Sequence, residues 1–262
     1  MTVLVTGPTG FIGQYVVHAL RAREIPVRAL VRDRSRGSRL TAWGAELVEG
    51  DVTDPDSLRA AIAGVDAVIH LVAIIRGSRA DFERVMAQGT RDLVAAAQEA
   101  GVRRFVLASA LGLNERSKEQ VPYFAAKWEM ERAVKESAVE HVIFRPSFVF
   151  GRDGGVLPTF VRLARFAPVT PIVGPGTQRL QPIWVDDVAE YYVRALDLPA
   201  AAARTFDIGG PDAEHTLQPV PELVPGESVR TADVERPRRR RRQIERAHVV
   251  LCLLYTSDAA DE

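Results

Sequence analysis

The chain has 262 residues, enough to bury a sizeable core as one domain with a smaller appended lobe. Its 34 basic residues balance 34 acidic ones, which argues against nucleic acid, an anionic membrane or an acidic substrate and points to a small-molecule partner. A single cysteine, Cys252, rules out a disulfide framework or a cysteine metal site and fits a reducing compartment.

The opening "MTVLVT" reads at once as a buried strand, Val3–Thr6, which leaves no place for a charged leader and cleavage site. The most apolar run, "GVDAVIHLVAII", is interrupted by Asp66 and His70 and falls short of the ~20 apolar residues a membrane span needs. The expectation is a cytoplasmic protein with no membrane span. Directly after the first strand, "VLVTGPTGFIG" sets Gly7, Gly10 and Gly13 three residues apart at the opening of a helix, Gly10–Arg23. Glycines suit a bend where backbone must approach a pyrophosphate without a Cβ in the way, while the helix N-terminal amides receive its charge. The pattern therefore predicts a dinucleotide site.

Strand Val27–Val31 comes next and leads into "VRDRSR". Arg32, Arg34 and Arg36 offer guanidinium groups to an adenosine 2′-phosphate, so NADP is the expected cofactor; Asp33 leaves NAD open. After strand Ala45–Glu49, "GDVTD" puts Asp51 where it can accept from the adenine amine and Val52 where it can pack on the ring, with Asp54 capping helix Asp56–Ala63. Strand Ala67–Leu71, helix Ala80–Ala100 with Gly101 as its C-cap, strand Arg104–Ala108, helix Tyr123–Ser137 and strand His141–Phe144 complete a run of βα units. Right-handed crossovers turn that run into an α/β fold, a doubly wound parallel sheet of Rossmann type spanning residues 1–150.

Past Gly151 prolines break the pattern, and residues 151–213 read as a small C-terminal substrate lobe. From 214 onward periodicity fades. The arginine run Arg236–Arg242 reads as solvated chain, or as the product of a GC-rich reading frame, in a protein with three lysines and thirty-one arginines. The closing "CLLYTSDAADE" resembles a translated sequencing adaptor, so 214–262 is expected to be a disordered or artefactual tail and the lobe to be truncated. The five histidines have no metal-ligand spacing and no metal is expected; His70, at a strand end, reads as structural.

Taken in order, TGPTGFIG, GDVTD, HLVA, YFAAK, RPSFVFG and IWVDDVA resemble the short-chain dehydrogenase/reductase superfamily. The likeness is to its extended and atypical branch, which includes epimerase/dehydratase-like proteins and those similar to the nucleotide-binding accessory subunit of respiratory complex I. The resemblance implies that Gly7, Thr9, Gly10, Phe11, Ile12 and Gly13 hold the pyrophosphate. It sets Leu71, Val72 and Ala73 along the cofactor, and Pro146 and Phe148 at its nicotinamide end. It also implies that Tyr123 is a general acid/base for hydride transfer, with Lys127, one helical turn on, holding the ribose and lowering the phenol's pKa. The family's supporting hydroxyl comes from the end of the fifth strand, where "FVLASA" sets either Ser109 or Ala110 at the decisive position. Two functions follow: an NAD(P)-dependent oxidoreductase or epimerase acting on a carbonyl or hydroxyl substrate, or a non-catalytic NADPH-binding structural or redox-sensing module. Oligomeric state is not legible.

Overall fold

Short runs of Val, Ile, Leu and Ala alternate with amphipathic segments, and in the computed structural model, which describes residues 1–152, 154–155 and 181–210, these runs assemble a seven-stranded sheet. Its strands are β1 (Val3–Thr6), β2 (Val27–Val31), β3 (Glu46–Glu49), β4 (Ala67–His70), β5 (Arg104–Ala108), β6 (Glu140–Pro146) and β10 (Arg204–Ile208). Their order is β10-β6-β5-β4-β1-β2-β3, and every pairing is parallel. The winding reverses between β1 and β4, whose C-terminal ends are paired Thr6 to His70. Open α/β sheets bind ligands at such a crevice.

Strand periodicity decides what lies on each side. Leu4, Val68, Phe105, Leu107 and Ile143 point into one core with α3 (Pro55–Ile62), α5 (Gly89–Glu99) and α7 (Pro122–Lys135). Phe144, one residue out of phase with Ile143, instead meets Tyr191 and Tyr192 of α8 (Val185–Arg194) and Phe206 of β10. Helix α1 (Phe11–Arg21) is tied to α8 by Arg23 donating to Glu190 at 2.5 Å.

The expected helix over 80–100 is three pieces: α4 (Arg79–Asp81) with a Ser78–Asp81 capping box, a π-helical stretch Phe82–Gln88, and α5. Apolar residues on both sides of the wide turn continue a helical rhythm, so the pattern predicts one helix and does not mark where the extra residue is taken up. The sequence reading also lacked the 3₁₀ turn Arg34–Gly37, α2 (Ser38–Ala42), α6 (Glu115–Gln120) and β10.

Two compact units emerge. The first takes Met1–Pro146 and Asp186–Ile208, so most of α8 together with β10, assigned by sequence to the lobe, packs in the nucleotide unit. Described residues 147–152, 154–155, 181–185 and 209–210 fall in the second, which contains a small sheet of β7 (Val149–Gly151), β8 (Gly154–Gly155) and β9 (Ile183–Trp184). The proline-rich stretch 156–180 and the tail expected over 214–262 lie outside the described residues. Among the described residues no helix is long and apolar enough to cross a membrane, and no cluster of three His, Cys, Asp or Glu is placed to hold a metal ion.

Candidate nucleotide site

At the crevice the chain leaves β1 through Gly7, whose φ of +69° lies in the left-handed region that favours glycine. The Gly10 amide donates back to the Gly7 carbonyl at 3.1 Å, and Gln14 Nε2 closes the loop on the Thr9 carbonyl at 3.2 Å. A Cβ on Gly13 would stand 2.2 Å from the Gly7 oxygen, so only glycine lets α1 start this close to the turn. Gly10 is the N-cap of α1 and offers no side chain to the first-turn amides, and that turn, which includes Phe11 and Ile12, contains no acidic residue. Uncapped amides at the positive end of an 11-residue helix suit an anion. The residues present therefore fit a pyrophosphate.

Arg32, Arg34 and Arg36 follow β2, all exposed, and neither Arg32 nor Arg34 is ion-paired among the described residues. Asp33 caps the 3₁₀ turn by accepting from the Ser35 amide at 2.8 Å, and the Ser35 hydroxyl first, with that amide second, holds its carboxyl below the usual range. One oxygen of Asp51 accepts from the Thr53 amide at 2.9 Å and the Thr53 hydroxyl at 2.8 Å. Val52 is buried against Gly89 at the start of α5, so its side chain belongs to the core as well as to this loop. Leu71 and Val72 pass within 3.1–3.2 Å of where a Cβ on Gly7 would sit, which brings the end of β4 against the glycine turn, and Ala73 after them is exposed.

At the other end Pro122 opens α7, which puts Tyr123 in the first turn and Lys127 one turn on. The Tyr123 ring is half-buried, edge-on to Phe82 and Phe124. Lys127 is fully buried; its Nζ donates to the Ala108 carbonyl at 2.6 Å and lies 5.8 Å from the centre of the Tyr123 ring. Burial pulls the amine down to about 7, with Glu131 acting in the opposite direction.

Alternation along β5 sends Ser109 to the same face as Phe105 and Leu107, toward α7, and leaves Ala110 partly exposed. There the Ser109 hydroxyl donates to Glu131 Oε1 at 2.6 Å. The same carboxylate accepts Arg145 Nε and Nη2, both at 2.7 Å, and Lys135 Nζ at 2.8 Å. Burial pushes Glu131 upward, but these donors outweigh it and hold the group below the ordinary carboxylate range. Glu131 and Arg145 received no role from sequence, although Tyr123, Lys127 and Glu131 recur at four-residue spacing on one helix face. Pro146 ends β6 and accepts the Leu111 amide at 3.1 Å; Phe148 belongs to the second unit, where its carbonyl accepts from Ile183.

The chain is similar in sequence and fold to several known proteins. The chain is 34% identical over 215 residues to the mitochondrial NADH dehydrogenase [ubiquinone] 1 alpha subcomplex subunit 9 of Mus musculus, covering 79% of this chain and 56% of that protein. It is 29% identical to the NAD(P)H azoreductase of Xenophilus azovorans, over 80% of this chain and 68% of that one. A short-chain dehydrogenase/reductase superfamily protein from Agrobacterium tumefaciens, solved with bound NAD, superposes with a TM-score of 0.63 at 28% identity, covering 80% of this chain and 77% of the other. The chain spans 56% to 64% of the length of the first curated relatives it matches. The NmrA-like family profile matches residues 1–234, and the chain belongs to that family.

Proposed function

We propose that this protein binds a nicotinamide dinucleotide, NADPH in preference to NADH, across the C-terminal ends of β1, β4 and β5, and that it turns substrate over slowly or not at all. The observation that carries the binding is the α1 N-terminus, uncapped, free of acid and reached through a turn that only glycine at Gly7 and Gly13 permits. The amides around Gly7, Thr9, Gly10, Phe11, Ile12 and Gly13 take the pyrophosphate, and Arg32 and Arg36 take the 2′-phosphate. Asp51 and Val52 border the adenine, Leu71, Val72 and Ala73 the ribose, and Pro146 the nicotinamide.

The bound cofactor would supply hydride chemistry. What the side chains add is a proton at Tyr123 Oη and an amine at Lys127, a pair with the spacing for acid/base work. Against efficient turnover stands the Ser109 hydroxyl, whose only proton lies on Glu131 and so does not reach a substrate oxygen. Loss of one preorganised donor costs ~10²-fold or more in rate. The second reading, an oxidoreductase or epimerase, is favoured by the Tyr123–Lys127 placement; a redox-sensing module is favoured by the likeness to the complex I subunit.

Titrating NADPH and NADH into wild type and Arg32→Ala tests the cofactor assignment. The wild type prefers NADPH, and loss of one charge-assisted contact, ~1.5–3 kcal/mol, removes that preference; equal wild-type affinities would sink it. A panel of carbonyl and sugar-nucleotide compounds tests turnover. Rapid turnover that falls ~10²-fold in Tyr123→Phe restores the enzyme reading.

A further inference from the structure

Beneath the glycine turn three fully buried polar side chains form a line that the dinucleotide contacts described above do not use. Thr6 Oγ1 lies 2.6 Å from His70 Nδ1, His70 Nε2 lies 3.0 Å from Thr90 Oγ1, and the Thr90 hydroxyl donates to the Met86 carbonyl at 2.6 Å. The direction of every proton follows. A carbonyl only accepts, so the single Thr90 proton is on Met86, and Thr90 Oγ1 must accept from His70 Nε2–H. A neutral imidazole has one N–H, so Nδ1 accepts from the Thr6 hydroxyl. The ring is neutral because full burial, with Lys127 nearby, pushes its pKa down to about 3.

The far end of this line is the π-helical stretch Phe82–Gln88, a rare geometry that needs local support. That stretch runs between the two ends of the candidate site. At its start Phe82 packs edge-on to Tyr123 with ring centres 6.3 Å apart. Just past its end, Gly89 leaves only 3.0 Å between a would-be Cβ and the Val52 carbonyl. Reverting the stretch to α-helix would take one residue out of the wide turn and rotate Phe82 by about 100° relative to Gly89.

We propose that Thr6, His70 and Thr90 are positioning residues of the dinucleotide site, a one-way hydrogen-bond chain that locks the π register of Phe82–Gln88 and so sets the Tyr123 wall against the Val52 wall. This rests on the dinucleotide-binding reading. The chain starts on the residue before Gly7, so the glycine turn and the π stretch are held by one continuous set of bonds.

The full-length chain labelled with [¹⁵N]histidine gives the first test, with His70 identified by the signal missing from His70→Gln. The expected spectrum has Nε2 protonated and Nδ1 bare from pH 5 to 8. An imidazolium at pH 6, or an Nδ1–H tautomer, overturns the proposal. Thr90→Val, close in shape, removes the acceptor of Nε2–H, and the proton should move to Nδ1, where Thr6 Oγ1 can accept it. NADPH affinity in this variant should fall about threefold to tenfold, the equivalent of one buried hydrogen bond, and Thr90→Ser should restore it to within about twofold. A Thr90→Val protein that loses thermal stability yet binds NADPH as tightly as wild type reduces the chain to ordinary core structure and overturns the proposal alone. A wild type that binds neither NADPH nor NADH overturns the cofactor reading, and this one with it.

Discussion

At the end of β1 the chain offers backbone: a left-handed glycine, a second glycine with no room for a Cβ, and helix amides that no side chain caps. At the end of β5 it offers side chains, Ser109, Lys127, Glu131 and Arg145, each already bonded to another part of the protein. The first end holds its donors ready for an external anion. The second has its side chains committed internally, so the proposed function expects affinity for a dinucleotide and the capacity to react with it to be separable.

Gly13→Val strikes the first end and should have the largest effect. A side chain placed 2.2 Å from the Gly7 oxygen cannot be absorbed by a flexible neighbour, because the obstacle is backbone. Overpacking of this kind costs typically ~1–3 kcal/mol or more, so NADPH affinity should drop by about tenfold to a hundredfold in a fluorescence titration. Retained affinity would mean that the turn does not carry the pyrophosphate.

Glu131→Leu strikes the second end and should lower stability by about 2–3 kcal/mol in urea denaturation, since it leaves Arg145 and Ser109 without their buried acceptor. NADPH affinity of the folded fraction should stay within about threefold, the mirror image of Gly13→Val. If affinity collapses as well, the two ends are not separable.

Per pH unit, a smaller effect is a slope with pH. The Lys127 amine titrates at about 7 in the folded chain against an ordinary 10.5, so between those values the unfolded chain holds more protons. Stability of the cofactor-free protein should therefore rise as pH climbs from about 7 toward 10, by at most ~1.4 kcal/mol per pH unit. Lys127→Met should flatten that contribution. An identical slope in the variant would place Lys127 in water. Smallest of all, Ser109→Ala removes one of four donors to Glu131 and should cost about 1 kcal/mol. With a substrate in hand, a rate loss far beyond that cost would show the hydroxyl turning toward the cofactor.

The same contrast explains what could be read in advance. The phosphate end is encoded within seven consecutive residues, Gly7 to Gly13, because a backbone turn needs its glycines at fixed offsets. Of the other end Tyr123 and Lys127 were legible through their helical spacing, and Ser109 through its place at the end of the fifth strand with Ala110 as the alternative, but its partners were not. Ser109, Glu131 and Arg145 meet across separations of 14 and 22 residues, which no local pattern expresses. Strands β1, β2 and β5 match their expected bounds, since buried parallel strands are continuous apolar runs. Strand β10 escaped notice because "RTFDI" alternates only weakly and finds its partner, β6, some sixty residues earlier in the chain.

That late strand has a bearing on how the protein is made. Until Arg204–Ile208 leave the ribosome, β6 is the sheet's border, with Val142, Ile143 and Phe144 presenting an unpaired ladder on an apolar strip. Borders of that kind recruit strands from other molecules. A nascent or clipped chain that stops short of residue 204 has its nucleotide half nearly finished and its most adhesive edge uncovered, so the hazard of self-association is greatest just before synthesis of the sheet is complete.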